Sequence, residues 1–434
     1  MSTPPWGTTV PGNRWDLVPD VASDAPTDAA PRRSVSVVVT HFEQPEQLAR
    51  TLHALGRQTL TPHEVVVADD GSATAPQVPE GVRLVRQADR GFRAAAARNL
   101  GAAAATGDLL VFLDADTSPE PRFLERLTRL PAHLPELLAV GRRRHADLAD
   151  LPPDAPLPDA TAGRVLEEPA WLAEAYRRSA DLLDTDAGSF RFVISAVLAC
   201  SRWWFEEVGG FDESFVGYGG EDWELAHRSW LAGGLVAHVP RAVAWHDGPD
   251  AGARPRTADA GTSEASAVAD RVGAPGVAWR GLLRGPTDVV VEPAADLGAT
   301  ELLVTVDALL AACPRARVVV DPDQHLLLGD DPRLVPVAAA GEVLARARLR
   351  VLLHRGVVGD HGAYASLLAA ADGAVPCATW LVGDGLATVE DLRLHRRAAR
   401  WGRDDLLTVG HVEVPLLRPV PRDARLDAHL GQWL

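Results

Sequence analysis

From residue 34 onward, short apolar runs alternate with longer stretches whose apolar residues recur every three or four positions. SVSVVV at 34–39 is a β-branched apolar run, which predicts a buried strand. In residues 45–57, Leu48, Leu52 and Leu55 share one stripe, which predicts an amphipathic helix. EVVVADDGS at 64–72 reads as a second strand running into a turn, and VRLVR at 82–86 as a third, weaker one. FRAAAARNLGAAAAT is an alanine-rich helix with Gly107 as its stop. DLLVFLDAD at 108–116 is apolar until its end, as a central strand covered on both faces would be. The alternation predicts an α/β fold with a mainly parallel sheet.

Residues 1–33 are rich in Pro, Asp, Ala and Thr without periodicity and read as an extended arm, pinned by Trp6 or Trp15. A first α/β domain spans 34–250. Residues 251–280 are small, polar and punctuated by Pro and Gly, as a linker is. A second α/β segment, 281–434, follows. It loosely repeats the first: 26 residues separate Val39 from Val65, and 27 separate Val291 from Val318. HRGVVGDHGAYASLLAAADG also echoes DRGFRAAAARNLGAAAATG, which sets 356–373 against 91–107. One reading is a degenerate second copy of the fold; the other is an unrelated accessory domain that shapes a cleft or a homodimer interface. No Asp-x-Asp follows the third strand of this segment.

Composition narrows the chemistry. The 434 residues are 47% hydrophobic and 24% charged, as in ordinary globular proteins. No apolar run reaches the ~18 residues of a membrane span, and the N-terminus has neither basic nor apolar signal regions. A net charge of −16 disfavours nucleic acid and anionic membrane as partners. Three cysteines far apart in sequence suggest reduced thiols and a cytoplasmic setting. The chain has no lysine, which excludes Schiff-base chemistry and the Walker phosphate lysine.

Ligands of open α/β sheets bind beyond the carboxyl ends of the strands. There the sequence places Thr40, His41 and Glu43, then Asp69, Asp70 and Ser72, then Asp114 and Asp116. Asp114 and Asp116 lie on one side of an extended segment and repel unless a cation sits near them. GYGGEDWELAHR, from Gly217, sets Glu221 and Asp222 behind a glycine pair at a predicted helix start. Acids in a first helical turn can be simple capping. A carboxylate on such a turn can also take a proton from a closely approaching hydroxyl.

The stretches SVVVTHFEQPEQLARTLHALGRQTLTPHEVVVADDGS, ADRGFRAAAARNLGAAAATGDLLVFLDAD and GGFDESFVGYGGEDWELAHRSWLAGG resemble family 2 glycosyltransferases of the GT-A fold. The last also resembles the acceptor-side motif of β-1,4-galactosyltransferases and chondroitin-type polymerases. The likeness runs from about 34 to 248, with the motifs in the family's order. It implies that Thr40 and Glu43 flank a nucleotide base, that Asp70 accepts from uracil with Asp69 beside it, and that Arg98 reaches base or phosphates. It implies Asp114 at the ribose or sugar, and Asp116 and His246 as ligands of Mn²⁺ (or Mg²⁺). Asp222 would be the catalytic base, with Glu221 on a further acceptor hydroxyl. Tyr218, Gly220 and Trp223 would complete the acceptor side. His41-Phe42 departs from the family's aromatic-Asn pair, which leaves base selection open.

The expected activity is metal-dependent, inverting transfer from a nucleotide-diphosphate sugar, a UDP-sugar first, to a carbohydrate, peptide or natural-product hydroxyl. Two alternatives stay open. A sugar nucleotidyltransferase needs a Gly-rich basic loop after strand one, which THFEQPEQ lacks. A non-catalytic carbohydrate-binding homologue would have no use for Asp116, Asp222 and His246. Arg142–Arg144 read as a solvated basic turn.

Overall fold

The computed structural model describes residues 2–19, 32–157, 159–250, 258–369, 377–421 and 423–431. The chain divides into two compact units: residues 1–230 with 234–268, and residues 269–434 with 231–233.

The first unit is built on β1 (Val35–His41), α1 (Pro45–Leu55), β2 (Glu64–Asp69), β3 (Val82–Arg86), α2 (Ala94–Ala104) and β4 (Leu109–Asp114). The short β5 (Thr117–Pro119), α3 (Phe123–Leu127) and α4 (Arg129–His133) follow, then the long β6 (Leu137–Ala146) and β7 (Val165–Leu166). The unit continues through α5 (Ala170–Arg178), β8 (Val197–Ser201), α6 (Arg202–Glu207), α7 (Glu221–Leu231) and β9 (Leu235–Asp247). Its sheet runs β3-β2-β1-β4-β8-β6-β9-β5, with β7 on β6. The first four strands are parallel; β8 is antiparallel to both β4 and β6. Val37, Val38, Val39 and the run Leu110–Leu113 are fully buried, as strands covered on both faces must be. Burying this β-branched run at the sheet centre supplies the rigid edge on which the carboxylates stand.

The N-terminal arm is pinned by Asn13. Its amide donates to the carbonyls of Leu182 and Val236, at 2.6 and 2.8 Å, and accepts from the Val236 N–H. Trp15 makes a longer bond to the same Leu182 carbonyl, and Trp6 lies under the Arg33 guanidinium. Arg142–Arg144 lie in β6 rather than in a turn, because β9 pairs alongside them after a bulge at Gly141/Arg142. Of the expected linker, residues 251–257 lie outside the described residues, and α8 (Ala258–Ala269) is a helix.

The second unit contains β10 (Val289–Pro293), α9 (Ala299–Ala312), β11 (Arg317–Val320), α10 (Pro322–Leu328), β12 (Leu334–Pro336), α11 (Ala340–Arg346), β13 (Leu349–Leu353) and β14 (Val357–Val358). After α12 (His361–Ala369) come β15 (Thr379–Val382), β16 (Ala387–Asp391) and β17 (Val409–Val412). The sheet order is β12-β11-β10-β13-β16-β15-β17. Its first five strands repeat β3-β2-β1-β4-β8 in order and direction, with β16 antiparallel to β13. Val37 pairs with Val65 and Val111; Val291 pairs with Val318 and Val351. Three residues beyond these hubs, His354 stands where the first unit has Asp114, and Gly356 where it has Asp116.

This register corrects the sequence alignment of 356–373 with 91–107. The counterpart of α2 is α11, which precedes β13, so HRG follows the fourth strand instead of leading into it. Asp321, at the end of β11, caps α10 by accepting from Gln324.

Candidate active site

The carboxyl ends of β1, β2 and β4 gather the acids, and α7 brings Glu221 and Asp222 to them. The joining residue is Arg98, on the buried face of α2. It donates to Asp114 and to Glu221, each at 2.8 Å, and lies over the Phe211 ring. Burial opposes its charge, but Asp114 and Glu221 outweigh burial and hold the guanidinium protonated well above its ordinary range. Expected at base or phosphates, Arg98 here ties the sheet edge to the start of α7.

Asp222 follows directly. Burial, and then the Glu221 charge, push its carboxyl up to about 7, against Arg98 and the backbone N–H groups of Trp223 and Ser195. A carboxylate poised there can accept a proton at neutral pH and hold it. Trp223 is half-buried and its N–H bonds Asp222 at 2.9 Å. Tyr218 is 51% exposed, with its ring against Phe92.

The glycines of this turn serve packing. Gly219 and Gly220 have φ of 90° and 95°, which only glycine adopts readily. A Cβ on Gly220 would meet Val268 at 2.6 Å and Phe215 at 2.9 Å. The space left by the missing side chain is filled from within the unit.

Asp116 lies just past β4. The antiparallel pairing of β5 with β9 sets His246 opposite Thr117, so the imidazole meets Asp116: Nε2 and Oδ2 are 3.5 Å apart. His246 Nδ1–H donates to the Gly248 carbonyl at 3.2 Å, the tautomer that leaves the Nε2 lone pair toward Asp116. Gln44, which the sequence reading passed over, donates to the same Asp116 oxygen at 3.1 Å. Among the described residues no cluster of three or more His, Cys, Asp or Glu forms a metal cage. One imidazole and one carboxylate suit an ion whose remaining ligands come from substrate and water.

Asp69 and Asp70 are occupied otherwise. Asp69 is fully buried and accepts from His41, Ser72 and Arg86. Burial raises its pKa, but those three partners together keep it below the usual carboxylate range. It locks the turn instead of facing a ligand. Asp70 accepts from the Gln87 amide and the Arg93 N–H. Glu43, at φ 51°, accepts from Ala73 N–H and donates its own N–H to Ser72, which joins the loops after β1 and β2. The Thr40 hydroxyl is buried without a partner at this edge, as an atom awaiting a ligand would be. Arg143, which the sequence suggested was solvated, is largely buried and pairs with Asp250.

Residues 36–165 match the family model of glycosyl transferase family 2, and residues 180–245 that of the N-terminal domain of galactosyltransferase. A hyaluronan synthase from Pasteurella multocida is 30% identical over 50% of this chain and 24% of its own length. A chondroitin synthase from Escherichia coli is 30% identical over 50% and 35%. A validoxylamine A glucosyltransferase from Streptomyces hygroscopicus subsp. limoneus is 34% identical over 48% and 49%. The chain thus spans half or less of these relatives' length. With the strand order and the acidic edge above, these matches identify the first unit as a family 2 glycosyltransferase domain of GT-A fold.

Proposed function

We propose that the protein transfers a sugar from a UDP-sugar to an acceptor hydroxyl with inversion at the anomeric carbon. The observation that carries this reading is the Arg98 bridge between Asp114 and Glu221, which fixes the donor edge against the turn bearing Asp222. Asp222 takes the acceptor proton, and the freed oxygen attacks opposite the leaving diphosphate. A carboxyl near 7 is ionised in about half the molecules at neutral pH, as general-base catalysis requires.

Asp116 and His246 fit a divalent ion, Mn²⁺ better than Mg²⁺ because one donor is an imidazole. Such an ion, when bound, offsets charge on the diphosphate. Thr40 and Glu43 lie at the edge where the base would sit. Sugar transfer in the name of the validoxylamine A glucosyltransferase supports the same reaction class.

The test is direct. The full chain, incubated with UDP-sugars, Mn²⁺ and a panel of carbohydrate, peptide and natural-product acceptors, should release UDP together with a β- or α-linked product of inverted configuration. Retention of configuration, or UTP-dependent nucleotidyl transfer without UDP release, would overturn the reading.

A further inference from the structure

Within the first unit, a cavity of about 240 Å³ lies between α5, β6 and β9. Arg143, Glu168, Leu172, Tyr176, Ile194 and His238 line it. It is below the ~300–1,000 Å³ of common small-molecule pockets, so it holds one six-membered ring and not a chain of them. Ile194 precedes Ser195, whose N–H supports the Asp222 carboxylate, and the Asp222 charge is felt at the Tyr176 hydroxyl of the cavity wall.

Its wall is built at a cost. The Tyr176 ring stacks on His238, with centroids 3.6 Å apart and planes 4° from parallel. His238 Nδ1 is held by Asp181 at 2.7 Å. Asp181 sits in a run of three left-handed residues, Ala180, Asp181 and Leu182, at φ 48°, 58° and 67°. Non-glycine residues are strained in that region, where Cβ crowds the following carbonyl oxygen. The Tyr176 carbonyl, the Ser179 hydroxyl and the Asn13 amide hold the run in place. The strain aims a carboxylate at one imidazole, whose other nitrogen, Nε2, is buried without a partner.

Arg143 is the second underused group. Its guanidinium has five N–H donors, yet engages Asp250 through one nitrogen at 2.9 Å, and its Nε is buried with no partner. Arg142, by contrast, is already paired in a fork with Glu168. A desolvated guanidinium with donors to spare fits a carboxylate or phosphate bidentately.

We propose that this cavity is an acceptor subsite for a single hydroxylated ring bearing an anionic group, with Arg143 on the anion and His238 on a hydroxyl. The inference rests on the transferase reading above. Calorimetry on the full chain with UDP and Mn²⁺ tests it, with glucuronate, glucose 6-phosphate and glucose as probes. At least one anionic ring should bind 10-fold or more tighter than glucose, and comparing the two separates carboxylate from phosphate. R143M should abolish the preference; R143K, a point charge without the fork, should keep part of it and carries the test if R143M melts. Equal affinity for all three probes in the wild type, or an undiminished preference in R143M, overturns the subsite. Failure of the wild type to bind UDP-sugar, measured in the same instrument, would instead overturn the transferase reading.

Discussion

Arg98 lies 2.8 Å from Glu221 across 123 residues of sequence, and its other nitrogen is bound to Asp114. One buried cation thus neutralises two acids and moderates a third, Asp222. Replacing Arg98 with Met should destabilise the fold by ~3–5 kcal/mol, because two carboxylates lose the buried cation that pairs them. It should also move the base upward, since Arg98 favours the Asp222 anion. Thermal melts and a pH–rate profile check both effects.

Wild-type transfer should rise with pH through about 7 as Asp222 ionises. Glu221→Gln removes the charge that helps raise Asp222, so the midpoint should shift down. The sequence suggested that Glu221→Gln would act mainly on acceptor affinity; its bond to Arg98 adds this pH signature. A midpoint unmoved by Glu221→Gln would show that the two carboxylates are not coupled.

Asp222→Asn should lower transfer by a factor on the order of 10²–10⁴ while leaving UDP affinity near wild type. Stability should move the other way. The folded pKa of Asp222 is raised above its unfolded 3.8, so the unfolded chain holds fewer protons between about 4 and 7. Wild-type stability therefore falls as pH rises through that window. Asn cannot ionise, so the variant should be more stable than wild type at pH 8, by roughly 1–3 kcal/mol after solvent screening. Urea titrations at pH 4 and pH 8 read the difference.

Asp116→Ala and His246→Ala should each weaken Mn²⁺ binding in the presence of UDP, by about 10-fold or more, as the loss of one of two protein ligands predicts. Electron paramagnetic resonance of free Mn²⁺ reads this without turnover. Full activity of Asp116→Ala in chelator would remove the metal from the mechanism.

The second unit should not bind nucleotide. Calorimetry with UDP and Mn²⁺ should give one site per chain, and Asp116→Ala should abolish most of the heat. Two sites in the wild type, or one surviving in the variant, would reveal a second centre.

The strands and their acidic ends were legible because an apolar run broken by a carboxylate reads the same locally as in the fold. Asp114 and Asp116 stood out for that reason, and Asp222 because a glycine pair precedes two acids at a helix start. Long-range partnerships were not legible: nothing near Arg98 in sequence points to Glu221, and nothing near Arg143 points to Asp250. The misread turn at Arg142–Arg144 has a similar cause, since the three consecutive cations are held in a strand by backbone pairing with β9. Asp69 looked like a ligand because its position is right; its burial among His41, Ser72 and Arg86 is a tertiary fact. The shared strand order was only partly legible in spacing: the counterpart of Val291 is Val37, two residues before the Val39 that the spacing picked. The later alignment slipped further, because alanine-rich helices resemble one another whatever strand they precede.

Gly356 sets a limit on what can be grafted onto the second unit. A Cβ at that position would come within 2.0 Å of the Glu301 side chain, whose carboxylate accepts the Gly356 N–H at 2.7 Å. Copying the Asp114-x-Asp116 edge by changing His354 and Gly356 to Asp would therefore force Glu301 to shrink or swing away, giving up that bond. Two substitutions that look conservative in sequence need a third on a different element, so the two sheet edges are not interchangeable parts.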